Sequence, residues 1–229
     1  MLKAIVFDFD GVIVDSEPMH FRAFARVIEA MGMTISYEEY LERYIGYDDR
    51  DLMRVCLEEL SVSSQPPDPA RMREMIDEKA DVFEQILGEG IAMIPGAKSF
   101  IDEAAAQMPI AISSGASRQD IDLILNKLSM TQRFGTIVSA DDVVRSKPNP
   151  QTYRLAVENL AGKHPDLDLQ PDECLAIEDT TAGLESARGA GLMTLGLTTT
   201  GPASALMQAH RIAENFEGLT LSQLHEWFD

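Results

Sequence analysis

Five short apolar runs do most to limit the folds open to this chain: LKAIVF (2–7), PIAISS (109–114), GTIVSA (135–140), CLAIED (174–179) and LMTLGL (192–197). Each is rich in β-favouring residues and nearly continuous in its hydrophobicity, and after residue 97 the segments between them read as amphipathic helices. A strand without polar alternation has no face to leave in water. The pattern therefore predicts an α/β fold, a parallel sheet covered by helices on both sides.

Between residues 16 and 92 the pattern is helical throughout. EPMHFRAFARVIEAMG stops at Gly32, SYEEYLERYIG at Gly46, and DPARMREMIDEKADVFEQILG at Gly88, with DRDLMRVCLEEL between the last two; Ser36 and Asp68 stand where N-caps belong. SVSSQPPDP reads as a loop between helices, not a domain linker. Two domains follow: an α/β core from residues 1–15 and 93–229, and an all-helical insert over residues 16–92.

Composition narrows the partners. With 229 residues, 45% of them hydrophobic, the chain can bury a real core. Its net charge of −19 argues against nucleic acid and anionic membranes, although a cation in a site can reverse the local field for a small anion. Cys56 and Cys174 lie far apart among apolar neighbours and read as buried free thiols of a reducing cytoplasm, not as zinc ligands. The N-terminus opens directly into a strand pattern without a secretory leader, and no apolar run approaches the roughly 18 residues of a membrane span. A cytoplasmic protein is expected. Since no heptad or apolar stripe stands out as an interface, the expected state is a monomer or weak dimer.

The polar residues that need explaining fall at the carboxyl ends of the strands, the edge where open parallel sheets bind ligands. Asp8 and Asp10 close the first run, Ser113 and Ser114 the second, and Glu178 and Asp179 the fourth, while Lys147 lies in the loop after the third. Singly, each has a plain structural reading. Asp-Phe-Asp-Gly is a turn, SSGAS a helix N-cap, SKPNP a proline-rich loop and EDTTAG a helix N-terminus. Together at one edge they suggest a hard-cation site with a carboxylate nucleophile.

This constellation resembles the haloacid dehalogenase superfamily. DFDGVIVDSE is similar to its first motif, the serine of AISSGAS to its second, Lys147 in SKPNPQTY to its third and IEDTTAGLESARGAG to its fourth, and the match spans residue 1 to about 200. The helical insert directly after the first motif resembles the family's small cap, in the branch that contains β-phosphoglucomutase and many sugar-phosphate and phosphoglycolate phosphatases. The resemblance implies a Rossmann-like core with an inserted cap domain.

It also implies a chemistry. Mg²⁺ would be held by Asp8, the backbone carbonyl of Asp10 and Asp179, with Glu178 reaching it directly or through water. Asp8 would be the nucleophile that becomes an aspartyl phosphate, and Asp10 the acid/base. Ser114, the N–H of Gly115 and Lys147 would bind the transferring phosphoryl group, with Ser113 a lesser alternative to Ser114. Gly11 lets the backbone turn beside the two aspartates.

The cap would select a small phosphorylated metabolite. His20 and Lys79 resemble a pair that positions the acid/base in mutase-like relatives, and Arg50 would meet a distal anionic group. The alternatives are two exposed helix charges and a hydrogen-bonded hinge histidine. GYDDRD carries two added aspartates and one more residue before its arginine than the mutases do, and Arg118 stands where the mutase has a neutral polar residue for the sugar. These departures favour a Mg²⁺-dependent phosphatase over a phosphomutase. A true dehalogenase would need neither the metal nor Asp10. A metabolite-binding module without turnover is opposed by the presence of every motif residue.

Overall fold

The computed structural model describes residues 1–44, 47, 49–60 and 68–228. It forms two compact units, Ser16–Ile91 and the combination of Met1–Asp15 with Ala92–Asp229.

The first unit is all helical, with α1 (Glu17–Glu29), α2 (Tyr37–Arg43), α3 (Asp49–Leu60) and α4 (Pro69–Glu89). Ser36 Oγ accepts from the Glu39 N–H at 3.1 Å and Asp68 Oδ1 from the Ala70 N–H at 3.0 Å, so both expected caps satisfy an otherwise orphaned donor. Phe24, Val27 and Ile28 of α1 pack with Tyr40, Met53, Cys56 and Met75 in one buried cluster. One expected stop is displaced. Helix α4 runs through Gly88, which an α-helix tolerates at a cost of about 1 kcal/mol, and ends at Gly90, whose φ of +128° disfavours any side chain. Gly46 and the loop over 61–67 lie outside the described residues.

The second unit contains a six-stranded parallel sheet. Its elements are β1 (Ala4–Phe7), the short strands β2 (Val14–Asp15) and β3 (Ala92–Met93), α5 (Ala97–Gln107), β4 (Ile110–Ser113), α6 (Arg118–Leu128), β5 (Thr136–Val138), α7 (Gln151–Lys163), β6 (Cys174–Glu178), α8 (Thr181–Gly189), β7 (Met193–Leu197), β8 (Arg211–Ala213) and α9 (Leu221–Glu226). The sheet order is β5-β4-β1-β6-β7-β8, while β2 and β3 pair antiparallel by themselves. All five expected strands are present. The sixth, β8, is an edge strand with Arg211 and Ile212 exposed, so it carries no apolar run to betray it.

Alternate side chains of β1 serve opposite faces of the sheet. Ala4 and Val6 join Tyr153, Ala156 and Leu160 of α7 and Ala187 of α8. Phe7 instead meets the rings of Phe100, Phe134 and Phe216 at 6.2 to 6.3 Å. Full burial of a side chain of this size stabilises by about 1.5–3 kcal/mol, and β1, flanked on both sides and both faces, is fully buried. Both cysteines are free and buried. No helix among the described residues is long and apolar enough to cross a membrane.

Candidate active site

Register assembles the site. Phe7 pairs with Ile112 of β4 on one side and with Ile177 of β6 on the other. The residue that follows β1, Asp8, is thereby set between the ends of two neighbouring strands, beside Ser113 and Glu178, at the point where the chain's later strands begin to extend the sheet in the opposite direction. Its N–H is fixed by the Ile177 carbonyl at 2.9 Å.

Lys147, in the segment before α7, joins these strand ends. Its Nζ donates to Asp8 Oδ1 at 2.7 Å, to Glu178 Oε1 at 2.6 Å and to the Ser113 carbonyl at 2.9 Å. The Tyr153 hydroxyl, fully buried on α7, donates to the same Glu178 Oε1 at 2.8 Å, and its ring lies 5.0 Å from the Lys147 ammonium. Glu178 Oε2 accepts from the N–H groups of Asp179 and Thr180 and from the Thr180 hydroxyl, at 3.2, 3.4 and 3.1 Å. Thr180 is also the N-cap of α8, its Oγ1 accepting from the Gly183 N–H at 3.1 Å. Five donors thus hold both oxygens of Glu178. Gly183 makes room for them, since a Cβ there would lie 1.9 to 2.0 Å from the carboxylate.

Asp179, the next residue, is held differently. Thr200 in the loop after β7 donates to its Oδ2, whereas Oδ1 is buried with no hydrogen-bond partner among the described residues. Asp8, Glu178 and Asp179 are all buried and each presents an oxygen within 4.8 Å of the others. Three carboxylates face one ammonium. Burial, and then the Glu178 charge, push Asp8 up to about 7 despite Lys147. Burial and then the Asp8 and Glu178 charges hold Asp179 well above the usual carboxylate range. For Lys147 burial acts the other way, but Asp8 and Glu178 together outweigh it and raise the ammonium above the ordinary lysine range. An unpartnered buried oxygen among hard donors carrying excess negative charge fits a hard divalent cation such as Mg²⁺.

The first loop turns tightly after Asp8. Gly11 takes a φ of +73° and its N–H reaches the Val14 carbonyl at 2.8 Å, while Ile13 and Val14 donate back to Phe9. Half-buried Asp10 sits in this turn, bridged to Val14. At the end of β4, Ser114 is fully buried. Its N–H donates to the Val138 carbonyl and its Oγ accepts from the Ala116 N–H, both at 2.9 Å, which leaves the hydroxyl proton uncommitted among the described residues. Ser113 Oγ is buried without a partner among the described residues, whereas the Ser114 hydroxyl joins the hydrogen bonding that precedes α6. Gly115 is exposed, and a Cβ there would meet nothing within 4 Å. Arg118 begins α6 but is exposed, with its guanidinium held by Asp122 at 3.0 to 3.1 Å.

Within the helical unit, His20 of α1 and Lys79 of α4 come together, Lys79 Nζ lying 3.3 Å from His20 Nδ1. Lys79 is only 3% exposed and forms an ion pair with Asp49, so it is no surface charge. The His20 ring stacks on Phe83 at 4.5 Å, and burial followed by the Lys79 charge pushes the imidazole down to about 3. Arg50 is exposed. Sequence reasoning missed Tyr153, Thr180, Gly183 and Thr200. Thr180 and Gly183 had a signal, the capping pattern of EDTTAG, whereas Tyr153 reads as an ordinary core position of a helix.

Comparison with known proteins bears on all of this. The profile of the haloacid dehalogenase-like hydrolases matches residues 5–197. A phosphorylated carbohydrates phosphatase of Thermotoga maritima is 27% identical, covering 83% of this chain and 82% of its own. The β-phosphoglucomutase of Bacillus subtilis is 25% identical over 98% of this chain and 95% of its own. Among solved structures, CbbY from Rhodobacter sphaeroides in complex with phosphate superimposes with a TM-score of 0.81 at 28% identity, covering 96% of each chain.

Proposed function

The chain belongs to the haloacid dehalogenase-like hydrolases, and from that premise we propose that it is a Mg²⁺-dependent phosphatase of small phosphorylated metabolites, sugar phosphates or phosphoglycolate, working in the cytoplasm through a phosphoryl group carried on Asp8. The observation that carries this reading is the junction of Asp8, Lys147, Glu178 and Asp179 at the carboxyl edge of the sheet. The phosphatase from Thermotoga maritima and the CbbY structure in complex with phosphate support the substrate class.

In the first step an Asp8 carboxylate oxygen attacks phosphorus, a P–O bond to Asp8 forms and the ester P–O bond breaks. Asp10 gives its proton to the departing oxygen, which leaves as an alcohol. In the second step Asp10 takes a proton from water, the water oxygen bonds to phosphorus, and inorganic phosphate leaves as Asp8 is restored. Lys147, the Ser114 hydroxyl and the Gly115 N–H bind the non-bridging oxygens, placing positive charge where negative charge gathers. Glu178, oriented by its other four donors, holds Lys147 in position. Mg²⁺, held by Asp8, Asp179 and the Asp10 carbonyl with Glu178 reaching it through water, would offset the repulsion between anionic nucleophile and anionic substrate.

In this reading residues 16–91 form the cap that admits the substrate, with His20, Arg50 and Lys79 supplied from it and Arg118 from the core. A phosphomutase is the second reading, favoured by the similarity to the Bacillus subtilis β-phosphoglucomutase. Against it stand the two added aspartates of GYDDRD, next to the arginine that would meet a distal anionic group, since their charge opposes a second phosphate. A screen of the purified protein with Mg²⁺ and with EDTA separates the two. Phosphate release that requires Mg²⁺ supports the phosphatase. Isomerisation of β-glucose 1-phosphate, with a trace of the 1,6-bisphosphate and little free phosphate, supports the mutase, and neither product in any reaction would overturn both.

A further inference from the structure

Two consecutive threonines after β7 lock the loop of the first strand to the acidic pair at the end of β6. Thr199 Oγ1 donates to the Gly11 carbonyl at 2.5 Å, and Thr200 Oγ1 donates to Asp179 Oδ2. The three loops converge so closely that a Cβ on Gly11 would lie 2.0 Å from Asp179 Oδ2 and 2.6 Å from Thr200 Oγ1. Gly11 is therefore needed twice, for its φ of +73° and for this approach.

The consequence falls on one carboxylate. A free carboxylate rotates about its Cγ bond and offers either oxygen, whereas a hydroxyl bonded to one oxygen fixes the plane. In Asp179 the bonded oxygen is Oδ2, which leaves Oδ1 as the buried oxygen without a partner among the described residues, on a carboxylate that lies beside those of Asp8 and Glu178. From this geometry we propose that Thr200 is a positioning residue for Asp179, setting the oxygen that Asp179 offers to the divalent cation; the proposal rests on the metal reading given above.

Thr200 is itself exposed, and its loop borders an open cleft of about 450 Å³ lined also by Asp15, Glu214 and Asn215. A valine has room there, so the hydroxyl can be removed without overpacking. Water can replace the lost donor but not its fixed direction, which puts the expected loss near the lower end of the 10–100-fold usual for partners of metal ligands, about tenfold.

The test is a titration of the EDTA-stripped full chain with Mn²⁺, read by electron paramagnetic resonance, and with Mg²⁺, read by calorimetry. Thr200→Val and Thr200→Ala should each bind either ion about tenfold more weakly, while Thr200→Ser, which keeps the donor, should bind as the wild type does. Metal-free unfolding midpoints should be the same in all four proteins, so a general loss of structure is separated from a loss of ligand orientation. Unchanged affinity in Thr200→Val or Thr200→Ala, or a loss in Thr200→Ser equal to theirs, would overturn the assignment. Failure of the wild type to bind either ion would overturn the metal reading itself.

Discussion

Replacing Gly183 with alanine sets two known effects against each other. Gly183 lies inside α8, and alanine in a helix interior is worth about 1 kcal/mol over glycine, so propensity alone predicts a more stable protein. The added Cβ would, however, stand 1.9 Å from the carboxyl carbon of Glu178, where real contacts stay beyond 3.0 Å, and Glu178 is fully buried. Relief requires the carboxylate to move by roughly 1 Å, which breaks hydrogen bonds from the Lys147, Tyr153 and Thr180 side. Hydrogen bonds to charged groups contribute about 1.5–3 kcal/mol each. Losing two of them outweighs the helix gain and leaves a net destabilisation of about 2–5 kcal/mol. Urea unfolding measures this directly, and phosphate release should fall with it as Lys147 loses its anchor. Gly162 in α7 is the control, because a Cβ there meets nothing within 4 Å and Gly162→Ala should stabilise. A Gly183→Ala protein as stable as the wild type, with full turnover, would refute the reasoning.

Tyr153→Phe keeps the ring in the core but removes a buried donor from Glu178, so the protein should lose about 1.5–3 kcal/mol of stability to unfolding while inhibition by inorganic phosphate weakens about tenfold; unchanged inhibition would count against the coupling of Glu178 to Lys147. Lys147→Met leaves three buried carboxylates without a cation and should cost the metal-free protein about 3–5 kcal/mol, with Mg²⁺ restoring part of the loss, as melting with and without the ion will show. His20 is held down to about 3, below its ordinary 6.5, so the unfolded chain binds the extra proton between these values and stability falls as pH drops through 6.5. At no more than about 1.4 kcal/mol per pH unit, the wild type should lose about 1–2 kcal/mol more than His20→Gln between pH 7 and 5. Equal losses would show that His20 is protonated in the folded protein.

The parts of the fold that announced themselves did so through burial. A strand such as β1, with Ile5, Val6 and Phe7 fully buried, must be apolar along its length, and a carboxylate at its end then stands out. The edge strand β8 has no such obligation, and β2 and β3, two residues each and joined across the whole helical unit, are too short for any period to register. The core motif residues were legible because their types are unusual at strand ends. Their support was not: Tyr153 and Thr200 act through contacts between segments distant in sequence, and only the folded loops bring them to Glu178 and Asp179. Arg118 shows the opposite limit, since Asp122, one helical turn away, competes for the side chain.

The central claim is that Asp8 carries the phosphoryl group, and trapping that species tests it most directly. The enzyme is mixed with a substrate found in the screen, quenched in acid within a turnover, digested and mapped by mass spectrometry. The account predicts one phosphoryl group on the peptide that contains Asp8, lost on alkaline treatment and absent from a folded Asp8→Asn protein that releases no phosphate. Steady phosphate release with no phosphorylated Asp8 at any quench time, together with turnover by Asp8→Asn, would contradict it.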